Sequence, residues 1–212
     1  MNALEELQRC GGYLTDTHVV YSSWRHGSVY LNKDAIYPHP KIVSGLCRQL
    51  AESVHTAGDG AHVIIGPEKG GIILAQWTAF HLSNMLGTEV LAVYAEKEGD
   101  EFAFRRGQDA HIRGKTAMIV EDVLTTGGSV IKVINAARSL DCVVSGVLAL
   151  FNRGDVGIDT FGPGIHRMVA LGTVKLDSYP EDDCPLCRDG VPVNTTVGKG
   201  RVFLARRTAS SS

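Results

Sequence analysis

Apolar and polar positions follow two rhythms along this chain. Behind Pro38 and Pro40, the residues Ile42, Val43, Leu46, Leu50 and Val54 recur every three or four positions, which predicts an amphipathic helix packed on a sheet. Helical spacing returns from Ile72 to about Leu86, and again at Val130, Val133, Ile134 and Ala137 as far as Leu140. Between these stretches lie short apolar runs: His62 to Ile65, Glu89 to Ala95, Thr116 to Val120, Val143 to Phe151 and His166 to Leu171. Runs of this length, apolar on both faces, read as buried strands of a parallel sheet. Strand and helix alternate, so the pattern predicts an α/β chain.

Both ends fall outside that rhythm. Asn2 to Cys10 reads as a short helix stopped by Gly11-Gly12. In the segment Tyr21 to Asp34, Val29 and Leu31 share one face and Ser28 and Tyr30 the other, as in a strand, with Arg25, His26 and Lys33 clustered near it. The tail from Lys199 to Ser212 is polar and is expected to fray.

Composition narrows the class. At 212 residues, 44% hydrophobic and 21% charged, the chain suits one soluble domain with a substantial core. A formal net charge of -2 argues against general nucleic-acid binding. No apolar run approaches a membrane span, and Met1 to Glu6 does not read as a signal peptide. Five cysteines, odd in number and mostly isolated in apolar segments, suit a reducing compartment, so a cytoplasmic enzyme is the expectation.

The chemistry concentrates at Val120-Glu121-Asp122-Val123-Leu124-Thr125-Thr126-Gly127-Gly128-Ser129-Val130. This run joins a strand to a helix start, where open α/β sheets bind ligands. Gly127 and Gly128 let the backbone turn and approach a ligand. Thr125, Thr126 and Ser129 add hydroxyls, and the helix start adds unpaired N–H groups, making a phosphate cradle. Glu121 and Asp122 would repel a phosphate alone. They make sense if the ligand also offers a vicinal diol or a divalent cation. A sugar phosphate meets both demands. Upstream, Gly66-Pro67-Glu68-Lys69-Gly70-Gly71 is a second glycine-rich junction, with Lys69 and backbone amides as anion donors.

The run at Val120 to Val130 resembles the phosphoribosyl-pyrophosphate (PRPP) signature of type I phosphoribosyltransferases, and the chain from Tyr21 to Cys187 is most similar to the orotate phosphoribosyltransferases. The resemblance implies their fold, a central mostly parallel β-sheet flanked by helices with a small hood built mainly from the N-terminal segment. Residues 1–212 would form a single phosphoribosyltransferase domain: hood mainly 1–37, core about 38–175, C-terminal segment 176–212. It implies transfer of phosphoribose from PRPP to orotate with release of pyrophosphate, magnesium as the cation, and a homodimer. A different base, or a PRPP-binding regulator without turnover, are the alternatives.

Residue roles follow from the same resemblance. Glu121 and Asp122 would orient the ribose, with Asp122 catalytic, and Thr125, Thr126, Gly127, Gly128 and Ser129 would hold the 5-phosphate. Lys69, Gly70 and Gly71 would form the pyrophosphate loop. The charged excursion Glu96 to Gly107 would be a cover over the site, with Lys97 and Arg105 as catalytic cations. Asp100 and Phe102 stand where other members carry Lys and His. His26, in a hood pattern that Ser23 and Tyr30 match while Trp24 and Gly27 depart, would hold the base together with Arg153, which follows Asn152 where the family has Asp. Magnesium would be carried by PRPP, with no protein ligands assigned. Cys184-Pro185-Leu186-Cys187 supplies half of a tetrahedral zinc site, whose other half would need His residues or a second subunit.

Overall fold

The computed structural model describes residues 2–210 and divides the chain into two units, one of Ile36–Val174 and another formed by Leu4–Ala35 with the chain from Lys175 onward. The N-terminal segment gives helix α1 (Ala3–Arg9) and four two-residue strands, β1 (Tyr13–Leu14), β2 (Val19–Val20), β3 (His26–Gly27) and β4 (Tyr30–Leu31). They pair antiparallel as β1 with β4 and β2 with β3. The single strand expected around Val29 and Leu31 is thus broken into two pieces. The break falls at Ser28 and Val29, where Tyr21 donates its hydroxyl to Val29 O at 2.6 Å, while the turn at Trp24, φ +64°, separates β2 from β3.

Ile36–Val174 carries the sheet. After helix α2 (Pro40–Thr56) come β5 (Val63–Pro67), α3 (Gly70–Leu86), β6 (Leu91–Glu98), β7 (Glu101–Ala103), β8 (Thr116–Leu124), α4 (Gly128–Arg138), β9 (Val143–Asn152) and β10 (Arg167–Thr173). The six strands run in the order β10-β9-β8-β5-β6-β7, all pairs parallel except β6 with β7. Apolar spacing decides the helix faces: Val43, Leu46, Leu50 and Val54 of α2 are buried, as are Val130, Val133, Ile134 and Ala137 of α4. Each such side chain contributes roughly 1.5–3 kcal/mol by leaving water.

The order reverses between β5 and β8. From β5 the chain moves outward to β6, then crosses back to β8 and continues to β9 on the far side. Such a reversal opens a crevice at the carboxyl ends of the two strands. Ile65 lies opposite Ile119, and Leu124 opposite Asn152. The register therefore brings the ends of β5, β8 and β9 to one edge of the sheet.

The C-terminal segment completes the unit begun by Leu4–Ala35, with α5 (Pro185–Arg188) and α6 (Gly200–Ser210). The expectation of a frayed tail is corrected here. Phe203 is buried, the Phe203 N–H donates to Lys199 O, and the Lys199 N–H donates 2.7 Å to Val20 O. One aromatic anchor in an otherwise polar helix leaves too weak a periodic signal to read from sequence. Among the described residues, no helix is long and apolar enough to cross a membrane.

Candidate active site

β8 runs to Leu124, so Glu121 and Asp122 belong to the strand rather than to the loop after it. Alternation then sends them to opposite faces. Asp122 is buried at 6% exposure and Glu121 is half-buried. The Asp122 N–H donates to Glu121 Oε1 at 2.9 Å, and Tyr37 donates its hydroxyl to Asp122 Oδ2 at 3.1 Å. A carboxylate held at this depth needs such donors.

Beyond Leu124 the chain turns through Thr125, Thr126 and Gly127, which takes φ +76° at the N-cap of α4. Thr126 Oγ1 accepts the Gly128 N–H at 3.3 Å. Residues Glu121 and Val123 to Val130 line a hollow of about 50 Å³. The hollow faces the first turn of α4, whose unpaired N–H groups favour an anion.

β5 ends at Pro67, the Glu68–Lys69 peptide is cis, and Lys69 is the N-cap of α3. The glycines here are dictated by approach. A Cβ on Gly70 would stand 2.1 Å from Asp122 Oδ2 and 2.3 Å from Tyr37 Oη, and one on Gly66 would stand 2.0 Å from Gly71 O. The loop after β5 therefore presses directly against the acid pair of β8. α3 thus opens a second amide-rich helix start, with the exposed Lys69 beside it.

β9 closes the other side. The N–H groups of Arg153 and Gly154 both donate to Leu124 O, at 2.8 and 3.2 Å. A Cβ on Gly154 would fall 1.4 Å from Thr125 O. Asn152 folds this turn over itself, donating from Nδ2 to Val156 O at 2.8 Å and accepting the Val156 N–H at 3.1 Å. Asn152 thus holds the backbone that presents Arg153.

The charged excursion is a hairpin. Lys97 pairs with Phe102 and Glu98 with Glu101 across β6 and β7. Phe102 and Phe104 are buried in the core cluster and anchor the hairpin, while Lys97, across from Phe102 near the carboxyl end of β6, is exposed. Arg105 meets Glu98 through two bonds of 2.5 and 2.6 Å, which holds the Glu98 carboxyl below its ordinary value and raises Arg105. Lys132 of α4 donates to Asp100 O.

His26 departs from expectation. It belongs to the other unit, is fully buried, and aims Nδ1 at His18 Nε2 and Cys187 Sγ rather than at an open face. Base contact by His26 is therefore withdrawn. Sequence reading missed Tyr37, Gly154 and His18. No local motif marks them, because each acts on a partner distant along the chain.

Two glycine-rich helix starts, the half-buried Glu121 and the buried Asp122 gather at the switch point of the sheet, the place where open α/β enzymes bind their ligands. Residues 32–157 match the family model described as the phosphoribosyl transferase domain. The chain belongs to the type I phosphoribosyltransferase family. Within that family, it is 37% identical over 185 residues to the orotate phosphoribosyltransferase of Pelotomaculum thermopropionicum, covering 87% of this chain and 90% of the relative. The orotate phosphoribosyltransferase of Caldanaerobacter subterraneus subsp. tengcongensis is 38% identical over 176 residues, covering 83% and 86%. Among solved structures, the orotate phosphoribosyltransferase of Aeropyrum pernix superposes with a TM-score of 0.66 at 27% identity, covering 82% of this chain and 94% of that one.

Proposed function

We propose that this protein transfers the 5-phosphoribosyl group of PRPP to orotate, releasing pyrophosphate and forming orotidine 5'-monophosphate. One observation carries the reading: Gly70, where the loop after β5 enters α3, lies against Asp122 near the end of β8, with Tyr37 touching both. That contact supports a reading in which the Lys69–Gly71 loop receives pyrophosphate, the Thr125–Ser129 loop receives the 5-phosphate, and the nearby carboxylates meet the ribose hydroxyls.

In the reaction, the bond from the anomeric carbon to a pyrophosphate oxygen breaks, the oxygen keeping the electron pair, and a ring nitrogen of the base bonds to that carbon, its N–H proton passing to solvent. An oxocarbenium-like state lies between, as in glycoside cleavage. The chain then has three tasks: alignment, stabilisation of charge on the leaving group, and exclusion of water. Asp122, with Glu121, accepts hydrogen bonds from the ribose hydroxyls. Thr125 to Ser129 hold the 5-phosphate. Lys69 and the Gly70 and Gly71 amides receive the pyrophosphate, and Lys97 and Arg105 of the hairpin add positive charge to it. Arg153 faces the base, which suits an anion such as orotate.

Enzymes of this family generally use a divalent metal. The Glu121–Asp122 pair, oxygen-rich beside two anion cradles, fits a hard cation carried in by PRPP. Magnesium is the ion we assign, and it would offset charge on the departing pyrophosphate. The chain is taken to work in the cytoplasm as a homodimer.

The test is absorbance-monitored consumption of orotate with PRPP and magnesium, beside Asp122→Asn. Conversion by the wild type that falls at least about a hundredfold in the variant is the expected result. The withdrawal of His26 from the base gives a different base a specific footing as the second reading. Pyrophosphate release with another base, and none with orotate, would establish it.

A further inference from the structure

Four side chains that the transfer reaction does not use converge in the unit formed by the two chain ends. His18 Nε2 lies 2.9 Å from His26 Nδ1. Cys184 Sγ is 3.8 Å and Cys187 Sγ 3.7 Å from His18 Nε2, and Cys187 Sγ is 3.3 Å from His26 Nδ1. All four donor atoms lie within 4.8 Å of one another, and three of the four residues are fully buried. From these positions we propose a structural zinc site of two cysteines and two histidines.

The dimensions are those of a tetrahedron around one ion. Zinc sits about 2.0–2.1 Å from nitrogen and about 2.3 Å from sulfur, which sets edges of about 3.3 Å between nitrogens and about 3.6 Å between nitrogen and sulfur. The His18–His26 separation of 2.9 Å and the three nitrogen–sulfur separations of 3.3, 3.7 and 3.8 Å lie within about 0.4 Å of these edges. Two sulfurs and two imidazole nitrogens in tetrahedral array select zinc over the hard cations that PRPP would carry.

The surroundings orient the ligands. His18 Nδ1 meets Val191 O at 2.7 Å. A carbonyl only accepts, so Nδ1 is the protonated nitrogen and the lone pair of Nε2 faces the cluster. This is the outer-shell bond that metal-bound histidines favour. His26 Nε2 is buried with no hydrogen-bond partner. Its ring packs edge-to-face on Phe203 at 4.8 Å. Zinc on Nδ1 makes Nε2 an N–H, which an aromatic neighbour accommodates better than a bare lone pair. Cys184 caps the four-residue helix α5 and Cys187 lies in it, a spacing of three that turns both sulfurs to one side.

The ligands also explain how this unit holds together. His18 and Cys184 are separated by 166 positions, and the strands around them are two residues long. A unit of roughly 70 residues rarely stands on its core alone and commonly relies on a metal or a disulfide. No disulfide is formed here; all five cysteines are free thiols. On binding, Cys184 and Cys187 each lose a proton, so zinc replaces two protons and nothing is oxidised.

The experiment is elemental analysis of the full-length chain, expressed with zinc in the medium and purified under reducing conditions without chelator. We expect about one zinc per chain, under about one-tenth in Cys187→Ser and His18→Ala, and full content in His18→Cys, which offers three sulfurs and one nitrogen. Cobalt exchanged into the wild type should give the intense visible bands of a tetrahedral thiolate site, a readout that stands even if the serine and alanine variants fail to fold. A wild type with neither zinc nor that cobalt spectrum would overturn the proposal. So would undiminished zinc in soluble Cys187→Ser, or an intact mass two hydrogens light from a Cys184–Cys187 disulfide.

Discussion

Tyr37 donates its hydroxyl to Asp122 Oδ2 across 3.1 Å, although 85 positions separate them in the chain. Tyr37 immediately precedes the Pro38 that leads into α2, and Asp122 sits near the end of the middle strand. The bond thus fixes a buried carboxylate from outside its own sheet. A hydrogen bond to a charged group is worth about 1.5–3 kcal/mol. Tyr37→Phe should lower kcat/KM for PRPP by about ten- to a hundredfold, at 1.4 kcal/mol per tenfold, while the chain remains folded. Steady-state kinetics with a melting curve check this, and an unchanged kcat/KM would remove Tyr37 from the site.

Gly70 is the point at which the start of α3 meets the end of β8. Gly70→Ala puts a methyl 2.1 Å from Asp122 Oδ2, and both are held by neighbours that cannot retreat cheaply. Overpacking of this kind costs about 1–3 kcal/mol and moves the groups that it meets. PRPP affinity by calorimetry should drop more than about tenfold, and turnover further still, because a 1 Å displacement alone can cost a hundredfold. Gly60→Ala is the control: nothing lies within 4 Å of a Cβ there, and its effect should stay within about 0.5 kcal/mol. Equal behaviour of the two variants would refute the close-approach argument.

What the sequence disclosed was local and periodic. Val130, Val133, Ile134 and Ala137 announced a buried helix face, and Val120 to Val130 announced a strand, a turn and a phosphate cradle, because both signals lie in contiguous residues. Contacts across the chain were silent. The pairing of Gly154 with Thr125, and the approach of Gly70 to Asp122, follow from the register of β5, β8 and β9, which no single segment encodes. The same holds for His26: its base-binding role came from the resemblance of its hood pattern, while its neighbours in space are His18 and Cys187. The polar tail hid α6, since Phe203 alone carries its burial.

Arg105, just after β7, is tied to Glu98 at the turn end of β6, and both are exposed. If Arg105 serves the leaving pyrophosphate, it must exchange this partner for the ligand. Arg105→Ala should then lower kcat more than about tenfold, whereas Glu98→Gln should leave kcat within about twofold without raising KM for PRPP, because an unpaired guanidinium is more available. The pH dependence has a definite sign. The folded Glu98 value is depressed by Arg105, so support for the hairpin is complete above the ordinary glutamate range near about pH 4.3 and is lost only as pH falls through the lower folded value. Amide exchange of residues 96–105 should show constant protection down to that range in the wild type, and early loss in Arg105→Ala. Equal protection in both would show that the pair contributes nothing, as many exposed pairs do.

Burial pushes the Cys47 thiol up to about 12 and the Cys142 thiol up to about 11. Thiolate is the reactive form, so neither residue should react with a disulfide reagent at pH 8 in the native chain, whereas all five cysteines should react once guanidinium unfolds it. An unfolded cysteine titrates near about 8.5. Because the folded values are raised, the unfolded chain gives up these protons first. The contribution to stability is therefore complete below about pH 8.5 and is lost as pH rises toward 11 and 12. Thermal unfolding between pH 8 and pH 10.5 should show a falling midpoint, with a shallower fall in Cys47→Ala once its lower starting stability is subtracted. Rapid labelling of Cys47 in the native chain, or an alkaline slope indifferent to Cys47→Ala, would mean that this thiol is not sealed between α2 and α3 as the structure has it.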